Sequence, residues 1–166
     1  MRFIILTVLI IVLTLPSRSF AALDYGKQSL VGADFSGSDL QGATFYLTDL
    51  QDANLSNCEL QNATLYGAKL KDTNLSNSNL REVTLDSAVL DGTDLSNTNL
   101  EDSFAYSTQF ENVKIEGADF TNVFLPKDIV RKFCESATGT NPITNRETRE
   151  TLECDYIWFM HIQVLF

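Results

Sequence analysis

Acidic and amide side chains recur at five- and ten-residue intervals along this 166-residue chain, and they are the residues whose types and spacing could bind a metal. Carboxylate and amide oxygens are the ligands that Ca²⁺ prefers, and some β-helical repeats bind calcium. The Gly-Gly-x-Gly-x-Asp motif of those repeats is absent from this sequence. We therefore predict no metal site and interpret the series as solvated repeat positions, among them Asp34, Asp39, Asp49, Asn54, Asn74, Asp94 and Asp119.

Nucleophilic groups are equally sparse. The sole histidine, His161, lies in an apolar C-terminal segment, and one imidazole without a second ligand does not make a metal site. Cys58 falls at an inward position of the repeat described below, where we expect a buried, inert thiol. The sequence carries no recognisable nucleophile with a base and no motif of paired carboxylates. We predict that the protein is not an enzyme and needs no cofactor.

A period of five residues accounts for these positions. Every fifth residue from Leu30 to Leu125 is large and apolar, except Ala105, and the residue two places earlier is usually small. Both columns must point inward. Two places after each large residue stand mostly Gly, Asn or Asp, which tolerate tight turns. A turn in every pentapeptide leaves room only for short extended segments, so the pattern predicts a coil of such segments.

The outward residues repeat every 20 residues, which predicts four pentapeptides per coil. Serine occupies positions 36, 56, 76 and 96, and tyrosine occupies 46, 66 and 106, with Asp86 as the exception. These outward columns are independent of the core pattern. They therefore support a four-sided coil on their own.

The units Ala33-Asp34-Phe35-Ser36-Gly37 and Ala53-Asn54-Leu55-Ser56-Asn57 resemble the A(D/N)LxG-like unit of the pentapeptide-repeat family. This resemblance implies an all-β solenoid over residues 22–127, namely a right-handed quadrilateral β-helix of about five coils. Such a rod would be roughly 24 Å long, since neighbouring coils lie ~4.8 Å apart. Some acidic members of the family act as nucleic-acid mimics and protect DNA gyrase, and many associate end to end.

The N-terminal segment has the features of a secretory signal peptide. Arg2 precedes an apolar run, and Ser19 and Ala21 fit cleavage after Ala21, so residues 1–21 are the predicted leader, with a retained anchor as the alternative. Loss of Arg2 and Arg18 would change the net charge from −10 to −12. Because basic residues are few and scattered, we expect no direct binding to nucleic acid.

A different pattern begins after Pro126. Ile129, Val130 and Phe133 have helical spacing, and Thr144 with Glu147 matches a capping box that would start a second helix. Residues 128–154 are thus a predicted helical cap. In an exported protein, Cys134 and Cys154 would form a disulfide and leave Cys58 as a thiol, although three free cysteines are the alternative. Residues 155–166 form an apolar tail that packs on the rod or contacts a membrane or a partner.

The segments from Cys134 to Thr144 and from Thr148 to Cys154 resemble the C-terminal extension of pentapeptide proteins exported to the thylakoid lumen. The resemblance implies a cyanobacterial or plastid-related source, and the short single leader favours a cyanobacterium. We expect the thylakoid lumen as the compartment, with the periplasm as second choice.

One of the four faces is aromatic and nearly uncharged, and such stripes usually mark interfaces. We therefore expect a non-catalytic binding or scaffold protein that presents this face to a protein partner. Two alternatives are an acidic nucleic-acid mimic and a face covered by the protein's own tail, and a homodimer stays open. Phe104 next to the undersized Ala105 also indicates a core defect that the Phe104 ring could fill. The predicted interaction residues are Thr44, Tyr46, Thr64, Tyr66, Phe104, Tyr106 and Phe124.

Overall fold

The computed structural model describes residues 23–155. The predicted leader, residues 156–166 of the predicted tail, and His161 lie outside the described residues. Between residues 23 and 155, no helix is long and apolar enough to cross a membrane.

Backbone pairing joins residues that are 20 positions apart. Parallel bridges run from Asp24↔Thr44 to Phe104↔Phe124, so five 20-residue steps separate the first and last residues of this column. Within the ladder, the Leu30 N–H donates to the Asp49 carbonyl at 2.7 Å, and the Asp49 N–H donates to the Gln28 carbonyl at 2.9 Å. Each coil therefore consists of four pentapeptides. The first bridged residue of this column is Asp24.

Regular strands are short because a turn interrupts every pentapeptide. Within residues 23–155, two three-residue strands occur, β1 (Val89–Asp91) and β2 (Gln109–Glu111), and they pair in parallel with Leu90 opposite Phe110. At most other sides of the coils a single residue makes the bridge. Turn residues adopt the left-handed backbone that Gly, Asn and Asp accept, for example Gly32 with φ 68° and Asn57 with φ 58°.

The interior of the rod holds the two predicted inward columns. The leucines at every fifth position from Leu50 to Leu100 are at most 2% exposed, and the small residues between them are also buried. Inward hydroxyls bond to the preceding coil: Thr73 Oγ1 donates to the Leu50 carbonyl at 2.8 Å. Cys58 Sγ takes the equivalent position, 3.0 Å from the Phe35 carbonyl oxygen, and burial raises the pKa of the Cys58 thiol. The buried position of this thiol is the one that the sequence predicts.

In the described part of the chain after the last coil there are two helices, α1 (Lys127–Ser136) and α2 (Thr148–Thr151). Phe133 of α1 packs against Phe110 and Phe120, with ring centroids 5.3 and 5.5 Å apart, so this helix covers the end of the core. The structure joins Cys134 and Cys154 by a disulfide with a Cα–Cα distance of 5.6 Å, the pair that the sequence indicates.

The predicted capping box is wrong. Helix α2 begins only after Glu147 and has no side-chain cap, because the Thr144 N–H instead donates to Asn141 Oδ1 at 3.1 Å. Asn141 is completely buried, and its side-chain amide donates to the carbonyls of Thr98 and Gly117, both at 2.9 Å. The predicted local cap is absent, and the loop is held instead by hydrogen bonds from the Asn141 side chain to two coils.

A charged cluster attaches the same loop to the rod. Arg146 Nε donates to Asp119 Oδ2 at 2.7 Å, and Arg146 Nη2 donates to Glu101 Oε2 at 2.9 Å. The Asp119 side chain is completely buried. Burial opposes ionisation of this carboxyl, but hydrogen bonds from Thr121 and the charge of Arg146 lower its pKa below the ordinary value. The interaction therefore connects two coils and the cap.

Candidate functional site

The structure brings all seven predicted interaction residues to one side of the rod, called the aromatic face below. They form two neighbouring columns, because Thr44 pairs with Thr64 and Phe104 pairs with Phe124 in the backbone ladder, while each tyrosine lies two residues further on. Thr44 and Thr64 are half-buried. The aromatic members are all exposed: Tyr46 39%, Tyr66 39%, Phe104 56%, Tyr106 65% and Phe124 62%.

The rings in the first half of this face stack along the rod. Tyr46 and Tyr66 have centroids 5.6 Å apart and planes inclined by 16°. Lys27 Nζ lies 5.7 Å from the Tyr46 centroid, on the coil before it. Each ring of this stacked pair therefore covers one face of the other.

The second half of the face has a different arrangement. Tyr106 stacks on Phe124, with centroids 5.6 Å apart and planes inclined by 27°, so the pair crosses from one column to the other. Phe104 points out of the rod although it adjoins the buried Ala105. The expectation that the Phe104 ring fills the core defect is therefore wrong.

Asp86 separates the two halves because it occupies the coil position between Tyr66 and Tyr106. Its Oδ1 accepts a hydrogen bond from the Tyr106 N–H at 2.7 Å. One coil earlier, the Gly67 N–H donates to the Asp86 carbonyl at 3.0 Å, but the corresponding bond from Ser87 to Tyr106 is missing from the described backbone. Ser107 also lacks the positive φ of the other turn residues. The carboxylate thus makes a side-chain bond between the two coils where one ladder bond is missing.

Leu47 belongs to this face, although the sequence reasoning did not single it out. It is 46% exposed and lies next to Tyr46 in a left-handed turn with φ 54°. A bulky side chain pays roughly 1–2 kcal/mol for that conformation. A Cβ added to Gly67 would come within 2.6 Å of Leu47 Cδ2, so the leucine packs over the next turn. The sequence did contain a signal for Leu47, because it is the one large apolar residue among the turn positions two places after each inward large residue.

Several acidic residues outside the aromatic face have structural partners. The Ser36 N–H donates to Asp34 Oδ1 at 3.0 Å, and that bond lowers the pKa of Asp34. Between coils, Lys69 pairs with Asp49 at 3.3 Å and Lys114 pairs with Asp94 at 3.2 Å. In the part of the chain that the structure describes, no three His, Cys, Asp or Glu side chains are grouped so that they could hold a metal. These carboxylates support turns and join neighbouring coils.

A 20-residue parallel register, left-handed turns at five-residue spacing and a leucine-filled interior define a pentapeptide β-solenoid. The family model of pentapeptide repeats, which describes a block of eight copies of the repeat, matches residues 29–67, 65–102 and 88–125. The chain belongs to the pentapeptide repeat family, as the sequence predicts, and its fold is a right-handed β-helix.

A solved pentapeptide repeat protein from the Arabidopsis thaliana thylakoid lumen is similar in sequence and structure. It is 36% identical, with a TM-score of 0.76 over 78% of this chain and 90% of that one. The chloroplast thylakoid lumenal protein TL20.3 of the same plant is 49% identical over 43 residues, which cover 25% of this chain and 15% of TL20.3. This chain thus matches only a small part of TL20.3. The fluoroquinolone resistance protein QnrB1 is 18% identical, with a TM-score of 0.37 over 65% of this chain and 64% of QnrB1.

Proposed function

We propose that this protein is a non-catalytic binding protein of the thylakoid lumen that docks a protein partner on the aromatic face. The observation that carries the proposal is the exposure of five aromatic side chains on one side of a rigid rod, from Tyr46 at 39% to Tyr106 at 65%. Large aromatic side chains are enriched in the cores of protein interfaces and lose little conformational entropy when they are buried.

The conformation of Leu47 supports the same proposal. Neighbouring turns use Gly42 or Asp52 in the left-handed conformation, and Leu47 adopts it with φ 54° while leaving 46% of its surface exposed. Unfavourable local conformations tend to persist where function requires them. A leucine that extends the apolar surface next to Tyr46 is such a case.

The proposed compartment rests on relatives and on the predicted leader. The similar Arabidopsis proteins are thylakoid lumenal, and residues 1–21 have the pattern of an export signal. The Cys134–Cys154 disulfide suits an exported protein. The periplasm is the second choice for the compartment.

Partner recovery tests the docking proposal. The tagged full-length chain is expressed in its source cells, and bound proteins are compared between the native sequence and a variant with Tyr46, Tyr66 and Tyr106 all replaced by serine. We expect the variant to lose at least about tenfold in partner recovery, because three hot-spot-type side chains are removed.

A matched control replaces Gln41, Gln61 and Arg81, which share another face, by serine, and this variant should recover the partner normally. Equal recovery by the tyrosine variant and the native chain would contradict docking at the aromatic face. Melting temperatures of both variants within a few degrees of the native protein would show that the rod is intact.

A nucleic-acid mimic is the second candidate, and the net charge of −10 is the observation that favours it. The ion pairs Lys69–Asp49 and Lys114–Asp94 interrupt the acidic columns, whereas a mimic needs continuous negative rows. A gyrase supercoiling assay with excess mature protein distinguishes the two candidates. Inhibition or protection would support the mimic, and an unchanged assay would exclude it for this target.

A further inference from the structure

The tyrosine column of the aromatic face lacks one ring. Tyr46 covers one face of Tyr66, and Phe124 covers one face of Tyr106. On the coil between Tyr66 and Tyr106, the same column position is held by Asp86. The column therefore contains a gap bordered by two aromatic rings and with a carboxylate at its base.

The backbone positions that carry the two rings are separated by two coil spacings. Tyr66 and Tyr106 are two coils apart, or about 9.6 Å at the usual spacing of neighbouring strands. A planar group between two rings needs about 3.5–4 Å on each side, or roughly 7–8 Å in total. The gap thus accommodates one planar group, in the place that a regular tyrosine would fill.

Asp86 determines which planar group would be favoured. Its Oδ1 accepts the Tyr106 N–H at 2.7 Å, which fixes the carboxylate beside the gap. Within residues 23–155, no lysine or arginine pairs with Asp86, whereas Asp49, Asp94 and Asp119 each have a cationic partner. A negative charge without a neutralising partner therefore faces a gap between two aromatic rings.

We propose that this gap binds the guanidinium group of an arginine on the protein partner. A guanidinium is planar, permanently charged and weakly hydrated, stacks on aromatic faces and donates to carboxylates in pairs of hydrogen bonds. A lysine ammonium is not planar, and an indole or phenol carries no charge to match Asp86. The proposal rests on the docking function proposed above, and the negative net charge of −10 favours a basic partner.

Titration with small probes tests the assignment on the mature protein by ¹⁵N-resolved NMR. The probes are N-acetyl-arginine methylamide, the matching lysine compound and N-acetyl-tryptophan amide. We expect the arginine probe to shift the amide signals of Ser87 and Tyr106 saturably, with an affinity at least about fivefold above that of the lysine and tryptophan probes. Equal or tighter binding of either comparison probe at these residues, or no saturable shift with arginine, would overturn the proposal.

Three variants make the test specific. Asp86→Asn keeps an acceptor for the Tyr106 N–H but removes the charge, and we expect arginine binding to weaken at least about fivefold. Asp86→Tyr fills the gap with the residue of the regular column and should abolish binding. Asp52→Asn removes an exposed carboxylate at another corner and should change nothing. Undiminished arginine binding by either Asp86 variant would contradict the site.

The arginine proposal and the docking proposal can be refuted independently of each other. If the arginine probe does not bind but the triple tyrosine variant still loses its partner, the aromatic face remains the docking surface and only the assignment of arginine is wrong. If the triple variant keeps its partner, docking at the face is itself wrong.

Discussion

The coils between residues 24 and 84 and the region from residue 104 to the cap are held together in different ways. In the first region, the backbone ladder, the leucine column and the inward hydroxyls repeat every 20 residues with few exceptions. In the second region the ladder continues to Phe124, and particular side chains add contacts that do not repeat: Asp86 bonds to the Tyr106 N–H, Arg146 joins Asp119 to Glu101, and Asn141 holds the loop.

The difference shows two sources of specificity in one rod. Repeated contacts are individually interchangeable and determine the shape, whereas single polar contacts determine where the shape ends and where it departs from regularity. The aromatic face crosses both regions. Its first half is a product of the repeat, and its second half is a product of the irregularity at Asp86.

The largest expected effect comes from a charge placed in the regular core. Leu75 is completely buried, and Leu75→Asp would lose ~1.5–3 kcal/mol of apolar burial and add the several kcal/mol that desolvating a carboxylate costs. We expect the variant to unfold cooperatively at a much lower temperature than the native protein, as followed by circular dichroism during heating. Leu75→Met, which keeps the volume, should cost less than about 1.5 kcal/mol. An unchanged melting temperature for Leu75→Asp would refute the core assignment.

Removing the disulfide should destabilise the cap region more than the regular coils. Cys134 and Cys154 are 20 residues apart, and a loop of this size corresponds to about 3 kcal/mol in the chain-entropy model. We expect Cys134→Ser with Cys154→Ser to lower the melting temperature and to increase amide hydrogen exchange in α1 and α2 first. Cys58→Ser is the control, because its thiol is unpaired. Equal exchange in rod and cap would contradict the division into two regions.

The Arg146 cluster should have a smaller, pH-dependent effect. Arg146→Gln removes charged hydrogen bonds to Asp119 and Glu101, and we expect a loss of about 1.5–3 kcal/mol at neutral pH. The folded-state pKa of Asp119 lies below its unfolded value near 3.9, so its stabilising contribution is complete above about pH 4. That contribution is lost as the pH falls through the folded-state pKa.

The variant should raise the pKa of Asp119 and move acid unfolding to higher pH. Chemical denaturation as a function of pH measures both effects. Lys114→Gln, which removes a more exposed ion pair with Asp94, is the control and should change stability by less than about 1 kcal/mol. Identical acid transitions for Arg146→Gln and the native protein would exclude the proposed role of this cluster.

The smallest effect concerns Leu47 and has the opposite sign. Asn tolerates the left-handed turn, so Leu47→Asn should stabilise the rod by about 0.5–1 kcal/mol while weakening partner recovery. The reverse change, Asn57→Leu, should destabilise the protein by a similar amount. Denaturant titration checks both values. A destabilised Leu47→Asn variant would mean that packing over Gly67 outweighs the backbone strain.

The sequence predicted the regular region well because one residue type at one spacing determines each column there. The five-residue spacing of Leu50 to Leu100 and the turn formers two places later leave little choice of structure. The seven face residues also came together as predicted, since the 20-residue period alone places them. That they bind a partner stays a proposal.

Sequence reasoning failed where the deciding contacts are long-range. The capping box at Thr144 matched a local rule, but Asn141 bonds to Thr98, 43 residues earlier, and that contact determines the loop. The bond from Tyr106 to Asp86 could not be inferred either. Asp86 was visible only as an exception in a column, and its role depends on the three-dimensional register.

Photo-cross-linking in intact source cells tests the central claim, that the aromatic face docks a partner, most directly. A photoreactive phenylalanine analogue is placed at Tyr66, and the matched control is placed at Ser36, an exposed residue on the opposite face. We expect a discrete adduct with another protein at position 66 and none at position 36. Adducts only with residues 156–166 of the same chain, or equal adducts at both positions, would contradict it.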